Sequence, residues 1–151
     1  MGARMGRVVA VSVSDRKGQK KRPVAYAMLV ADHGLEGDAH AGTSGHRQVS
    51  LLAVESADKM RARGVAVGHG DFAENLTVSG INLLSLHIGD RLRVGEAMLE
   101  ISQIGKECHD RCAIYQQIGD CVMPREGIFG RVVRGGRVAP GDVVAFEPGN
   151  P

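Results

Sequence analysis

Polar and apolar residues alternate from Arg7 to Ser14 around Val9, Val11 and Val13, and this period of two predicts a first strand. Val24 to Val30 predicts a second, and the polar, glycine-containing stretch between them allows the two to pair as a hairpin. Asp32 to Gly42 carries three glycines and two aspartates, a composition that predicts a long irregular loop of the kind that hosts function. Gln48 to Leu52 returns to a strand. Val54 to Arg63 has helical spacing, with Val54, Ala57 and Met60 on one stripe and Gly64 placed to end it. Further on, Asn75 to Val78 predicts a strand, Ile81 to Leu86 a turn or short helix, and Asp90 to Val94 a strand bracketed by Gly89 and Gly95. Ala97 to Ile104 alternates again, Ile114 to Ile118 reads as helical, Gly127 to Arg134 fits either helix or strand, and Gly141 to Glu147 closes as an apolar strand. Seven or so short strands, one helix of any length and no regular strand-helix alternation predict a mainly β fold, a compact closed β-barrel or sandwich. A doubly wound parallel sheet does not fit that pattern.

Composition narrows the picture. A chain of 151 residues is the size of one domain, 1–151, with one core. Hydrophobic residues at 43% and charged residues at 24% are those of a soluble globular protein. Only 3% is aromatic while 21 residues are glycine, which predicts an aliphatic core threaded through many tight turns. A formal net charge of +2 is too small for a protein that neutralises a phosphate backbone, so no nucleic-acid partner is expected. No apolar run approaches the length of a membrane span, and none is expected. The three cysteines, Cys108, Cys112 and Cys121, form an odd, clustered set unsuited to a disulfide framework, which predicts a reducing, cytoplasmic setting. Arg16, Lys17, Lys20, Lys21 and Arg22 concentrate positive charge, either as a receptor for an anion or as a solvated loop.

The chemically most pointed stretch is Gly105-Lys106-Glu107-Cys108-His109-Asp110-Arg111-Cys112. It sets a thiol among Lys106, His109 and Arg111, and nearby cations lower a cysteine's pKa toward the thiolate that attacks, carries sulfur or binds metal. A Cys-His nucleophile is one reading of these residues, with His40 or His46 as base. A zinc site from Cys108, His109, Cys112 and Cys121 is another, although the spacing departs from the paired Cys-x2-Cys of most knuckles. In the earlier loop, Asp38 and His40 with His46 and Arg47 suit either a metal or anion site or turn chemistry in which Asp38 caps backbone amides.

Taken in order, several blocks together resemble the MOSC domain family, named for the C-terminal domain of molybdenum cofactor sulfurases. They are Lys17-Gly18 with Lys20; Gly34-Leu35-Glu36-Gly37-Asp38-Ala39-His40; His46-Arg47-Gln48-Val49-Ser50-Leu51-Leu52; and Phe72-Ala73-Glu74-Asn75-Leu76-Thr77. They continue through Ile88-Gly89-Asp90-Arg91-Leu92, Leu99-Glu100-Ile101-Ser102-Gln103, the Cys108 block and Met123-Pro124-Arg125-Glu126-Gly127-Ile128-Phe129, and so cover essentially the whole chain. One departure is Ala73, where the family often carries glycine; it predicts a slightly different backbone at that turn.

The resemblance implies a closed barrel of the MOSC, pyruvate-kinase-like type with a few short helices. It makes Cys108 the functional cysteine, carrying sulfur as a persulfide or ligating the metal of a molybdenum pterin cofactor or its tungsten analogue. Lys106, His109 and Arg111 would then stabilise the charged sulfur, while Lys17, Lys20, His40, Arg47 and Arg125 are the candidate contacts for phosphate and oxo groups. A cysteine desulfurase and molybdenum enzymes or their assembly proteins are the expected partners. Pyridoxal phosphate is not expected, because its lysine belongs to the desulfurase domain of larger sulfurases. Two other functions fit: a molybdenum-dependent reductase of N-hydroxylated compounds with Cys108 as metal ligand, and a non-catalytic interaction barrel with structural zinc.

Overall fold

The computed structural model describes residues 5–16, 19–42, 48–64, 68–105 and 126–147. The fold is mainly β, as the alternation predicts. Its strands are β1 (Met5–Val13), β2 (Arg22–Val24), β3 (Ala27–Val30), β4 (Gly34–Leu35), β5 (Val49–Ala53), β6 (Leu76–Ser79), β7 (Arg91–Val94), β8 (Ala97–Ile104), β9 (Ile128–Arg134), β10 (Gly136–Val138) and β11 (Val143–Glu147). One helix, α1 (Val54–Ala62), and a 3-10 turn at Leu83–Ser85 complete the described elements.

Seven strands close a barrel in the order β11-β7-β8-β9-β5-β6-β1, with β11 pairing back onto β1. Closure leaves the barrel no open sheet edge to pair with another chain. Every neighbour is antiparallel except β5 and β6, which are parallel and joined through α1. Such a pair needs a crossover, and the helix supplies it. β11 covers β1 only from Met5 to Arg7, and β2 takes over at Val11 to Val13. Pro23 in β2 costs no barrel hydrogen bond because β2 is an edge strand.

Inward-facing residues build an aliphatic core that includes Val11, Leu35, Leu51, Leu76, Leu92, Leu99, Ile101 and Ile128, all essentially inaccessible. Each such side chain contributes about 1.5–3 kcal/mol by leaving water. On α1 the buried residues are Ser56, Ala57 and Met60, while Val54 from the predicted stripe is only half-buried. Gly64 at φ 89° ends the helix, its amide bonded to the Arg61 carbonyl.

Two expectations need correction. The predicted strand Val24 to Val30 is two strands, because β2 pairs with β1 while β3 joins a separate three-stranded sheet, β10-β3-β4. The loop 32–42 holds a short strand, β4, because Gly34 and Leu35 find partners in Val30 and Leu29. Gly127 to Arg134, open between helix and strand, is strand β9, and β10 was not anticipated at all. The helix expected at Ile114 to Ile118 lies outside the described residues.

Candidate functional site

The densest polar cluster forms where β1 ends. Asp38, in the turn after β4, accepts from the Ser14 amide at 3.0 Å and from Lys21 Nζ at 2.8 Å through Oδ1, and from the His40 amide at 3.0 Å through Oδ2. Lys21 Nζ also contacts Ser14 Oγ at 3.0 Å and His40 Nδ1 at 3.1 Å. The Lys21 and Asp38 side chains are fully buried, whereas His40 keeps 23% of its side chain exposed. Burial by itself would raise the Asp38 pKa. Hydrogen bonds from His40 and Lys21, the Lys21 charge and the Ser14 amide outweigh it, and hold the carboxyl far below its ordinary 3.8.

Beside this cluster runs a buried turn that leads into β6. Asn75 Oδ1 accepts from the Ser50 amide and hydroxyl, and its Nδ2 donates to the Ser12 carbonyl, so one side chain ties β1 to β5. Glu74 accepts from the Phe72 amide at 3.1 Å and from Thr77 Oγ1 at 2.9 Å. Burial pushes the Glu74 carboxyl up, with these donors only partly offsetting it. Ala73 sits at φ 65°, in the left-handed region where glycine is unstrained, so alanine bears strain at this turn. Gly70 is at φ 85°, and a Cβ there would fall 2.3 Å from the Lys21 carbonyl and 3.0 Å from Ser12 Oγ. That close approach is what seats Lys21, whose amide bonds the Gly70 carbonyl. Ser12 Oγ is buried without a hydrogen-bond partner among the described residues.

The cysteine segment is framed by described residues at both ends. β8 ends at Ile104, and the Gly105 amide bonds the Gly127 carbonyl at 2.7 Å, pinning the two stems together. Glu126, next to the second stem, accepts from Ser56 Oγ at 2.7 Å and from Lys59 Nζ at 2.9 Å on α1. Two residues before Gly105, Gln103 lies opposite Phe129, which lies opposite Ser50. A row of residues thus links the base of the cysteine segment through Ser50 to Asn75 and Ser12. Two residues along β1 from Ser12 stands Ser14, a member of the Lys21 cluster.

Of the residues the resemblance assigns to sulfur and cofactor, Lys20 and His40 are described; Lys20 precedes Lys21 in the chain and His40 contacts it. Lys20 is exposed, its ammonium 4.0 Å from Asp71. Lys17, Arg47, Lys106, Cys108, His109, Arg111 and Arg125 lie outside the described residues, as do the zinc candidates Cys112 and Cys121 and the base candidate His46. For Asp38 the structure realises the turn chemistry, since two backbone amides donate to it. Lys21 departs from the solvated-loop reading at its position: among the described residues of the basic run it is the buried one, where a carboxylate 17 residues away meets it. The missed participant is Ser14, and although Lys21 belongs to the basic run read from sequence, no local pattern separates it from its exposed neighbours or pairs it with Asp38. Among the described residues no group of three or more His, Cys, Asp and Glu could hold a metal ion, and no helix is long and apolar enough to cross a membrane.

Comparison with known proteins agrees with this architecture. The chain is 29% identical over 136 residues to the uncharacterized protein YflK of Bacillus subtilis, a match that takes in 82% of this chain and 60% of that protein's length. The fold superposes on the crystal structure of the YuaD protein of Bacillus subtilis with a TM-score of 0.79 at 20% identity, covering 97% of both chains. It superposes on YiiM of Geobacillus stearothermophilus with a TM-score of 0.71 at 22% identity, covering 95% of this chain and 75% of the other. The MOSC domain family model matches residues 33–145, which takes in the Asp38 turn, the Asn75 network and both stems of the cysteine segment. The chain therefore belongs to the MOSC domain family, whose members generally bind molybdenum cofactor.

Proposed function

We propose that this domain binds a molybdenum or tungsten pterin cofactor and carries sulfur for metal-sulfur cofactor assembly on Cys108. The observation that carries the reading is the family match, which spans a segment, 106–125, holding all three cysteines of the chain. The donor set suits the group: metals with dithiolene ligands accept soft sulfur donors, and the described residues offer no competing metal site. When bound, the cofactor would supply a redox-active metal centre that takes up sulfur.

Cys108, as thiolate, attacks the terminal sulfur of a persulfide on a partner desulfurase. The partner's S–S bond breaks, its cysteine leaves as thiolate, and a new S–S bond forms on Cys108 with the transferred sulfur outermost. Lys106, His109 and Arg111 favour the anionic forms at both ends of this exchange. Lys17, Lys20, His40, Arg47 and Arg125 are assigned to the phosphate and oxo groups of the cofactor. Gly105 and Gly127 hold the stems of the segment on β8 and β9, which anchors it to the rigid barrel wall.

The test is intact-mass analysis after incubating the purified domain with a cysteine desulfurase and cysteine. A sulfur-atom adduct present in the wild type and lost in Cys108→Ser is expected. An adduct that survives Cys108→Ser, or none in the wild type, overturns the carrier role.

A further inference from the structure

The outer face of the small sheet β10-β3-β4 is apolar along its middle and charged along both sides. β3 alternates, with Ala27 and Leu29 buried and Met28 and Val30 turned outward, 40% and 41% exposed. Tyr26, one residue before β3, is 52% exposed and extends the same row, since the Arg137 guanidinium of β10 lies over its ring at 4.8 Å. Tyr, Met and Arg are among the residues enriched where proteins meet.

Register fixes what flanks this row. Met28 stands opposite Arg137 on one side. On the other side, the pairing of Leu29 with Leu35 and of Val30 with Gly34 continues one residue further, because the Glu36 amide bonds the Met28 carbonyl at 2.9 Å. Directly paired residues point to the same face of a sheet, and Arg137, Met28 and Glu36 are all exposed. A cation, an apolar side chain and an anion therefore stand in one line across the sheet. The two charges are two strand spacings apart, about 10 Å, and neither has an ion-pair partner among the described residues. At the margins, Asp32 pairs with Arg131 at 2.7 Å beyond Val30, and Glu96 Oε2 accepts from the Arg137 amide at 3.3 Å along the free edge of β10.

We propose that this face is the contact between two copies of the chain, related by a two-fold axis that runs along β3 through Met28. That rotation lays one sheet on the other with its sides exchanged, so Arg137 of each copy meets the partner's Glu36 and Met28 packs on Met28. An axis across the strands would set Arg137 on Arg137 and Glu36 on Glu36, and like-charge repulsion disfavours it. The charge pattern thus specifies one orientation of a self-complementary contact. Three short strands offer less than the roughly 800 Å² per partner of a standard interface, so the dimer is a weak one that forms and dissociates with concentration. The inference goes beyond the sulfur-carrier reading and stands whether or not Cys108 carries sulfur.

The experiment is analytical ultracentrifugation of the whole chain from micromolar to near-millimolar concentration. Expected is a reversible monomer-dimer equilibrium in the wild type, with Glu36→Arg and Arg137→Glu each weakening it by about tenfold. The first variant carries only cations on the line and the second only anions, so an equimolar mixture of the two associates as heterodimers. The double variant Glu36→Arg/Arg137→Glu reverses both pairs and dimerises more tightly than either single variant. Both positions are exposed, so the fold tolerates these changes. A wild type that stays monomeric throughout, as it would where a different protein covers this face, overturns the proposal. Single variants that dimerise like the wild type, a mixture that associates no better than its components, or a double variant no tighter than the single ones do so as well.

Discussion

Lys21→Met isolates the buried ion pair. Methionine keeps most of the aliphatic stem but removes the charge, leaving the fully buried Asp38 carboxylate with only the Ser14 and His40 amides for donors. Removing one partner of a buried pair costs about 3–5 kcal/mol, and the two remaining amide bonds place the expected loss near the lower end, about 3 kcal/mol. For a chain of this size that corresponds to a fall in melting temperature of about 6–12 °C. With no tryptophan and two tyrosines, the chain is best followed by far-ultraviolet circular dichroism in urea. The effect carries a pH signature. Because the folded Asp38 pKa lies below its unfolded 3.8, the stabilisation is fully present above that value and fades as pH falls through the depressed folded one. The gap between wild type and variant should hold steady from pH 7 to about 5 and narrow toward pH 2. A loss under about 1 kcal/mol, the range of exposed pairs, or a gap that does not narrow in acid would refute the reasoning.

Glu74 should behave in the opposite sense. Its folded pKa is raised by burial, so the stability of the wild type is lost as pH climbs from the ordinary 4.5 through the raised folded value, and Glu74→Gln should gain on it over that rise in urea titrations; a constant difference would count against the assignment. Gly70→Ala should cost about 3 kcal/mol, combining left-handed backbone strain with a Cβ driven into the Lys21 carbonyl, whereas Gly64→Ala, also left-handed but with open space around it, should cost about 1 kcal/mol. Equal losses in thermal melts would mean that the close approach at Gly70 carries no energy.

Much of the barrel was legible because its signal is local. In β7, Leu92 and Val94 point inward and Arg91 and Arg93 outward, so two-residue alternation is written directly in the chain. α1 ends at Ala62, one residue short of the expected Arg63, because a left-handed glycine follows closely. Where the reading failed, the cause was pairing at a distance. Ala25 and Tyr26 carry no break signal, yet the chain changes sheets there, since β3 is claimed by β10 more than a hundred residues later. The site divides in the same way. Motif order identified the family and pointed to Asp38, His40 and Cys108. It could not rank Lys21 above Lys20, because the two differ in which one is buried against its carboxylate, and burial is decided by residues distant in the chain.

Residue pattern alone decided that this chain folds as a β-rich MOSC domain with one chemically distinct cysteine segment, since strand periodicity and motif order need no knowledge of distant partners. Tertiary structure decided which charges are buried, which backbone amides meet the Asp38 carboxylate, and how Gly105 and Gly127 close the stems of that segment. Those outcomes depend on atoms brought within about 3 Å from far apart in sequence, and hydrogen-bond and desolvation energies are set at that distance.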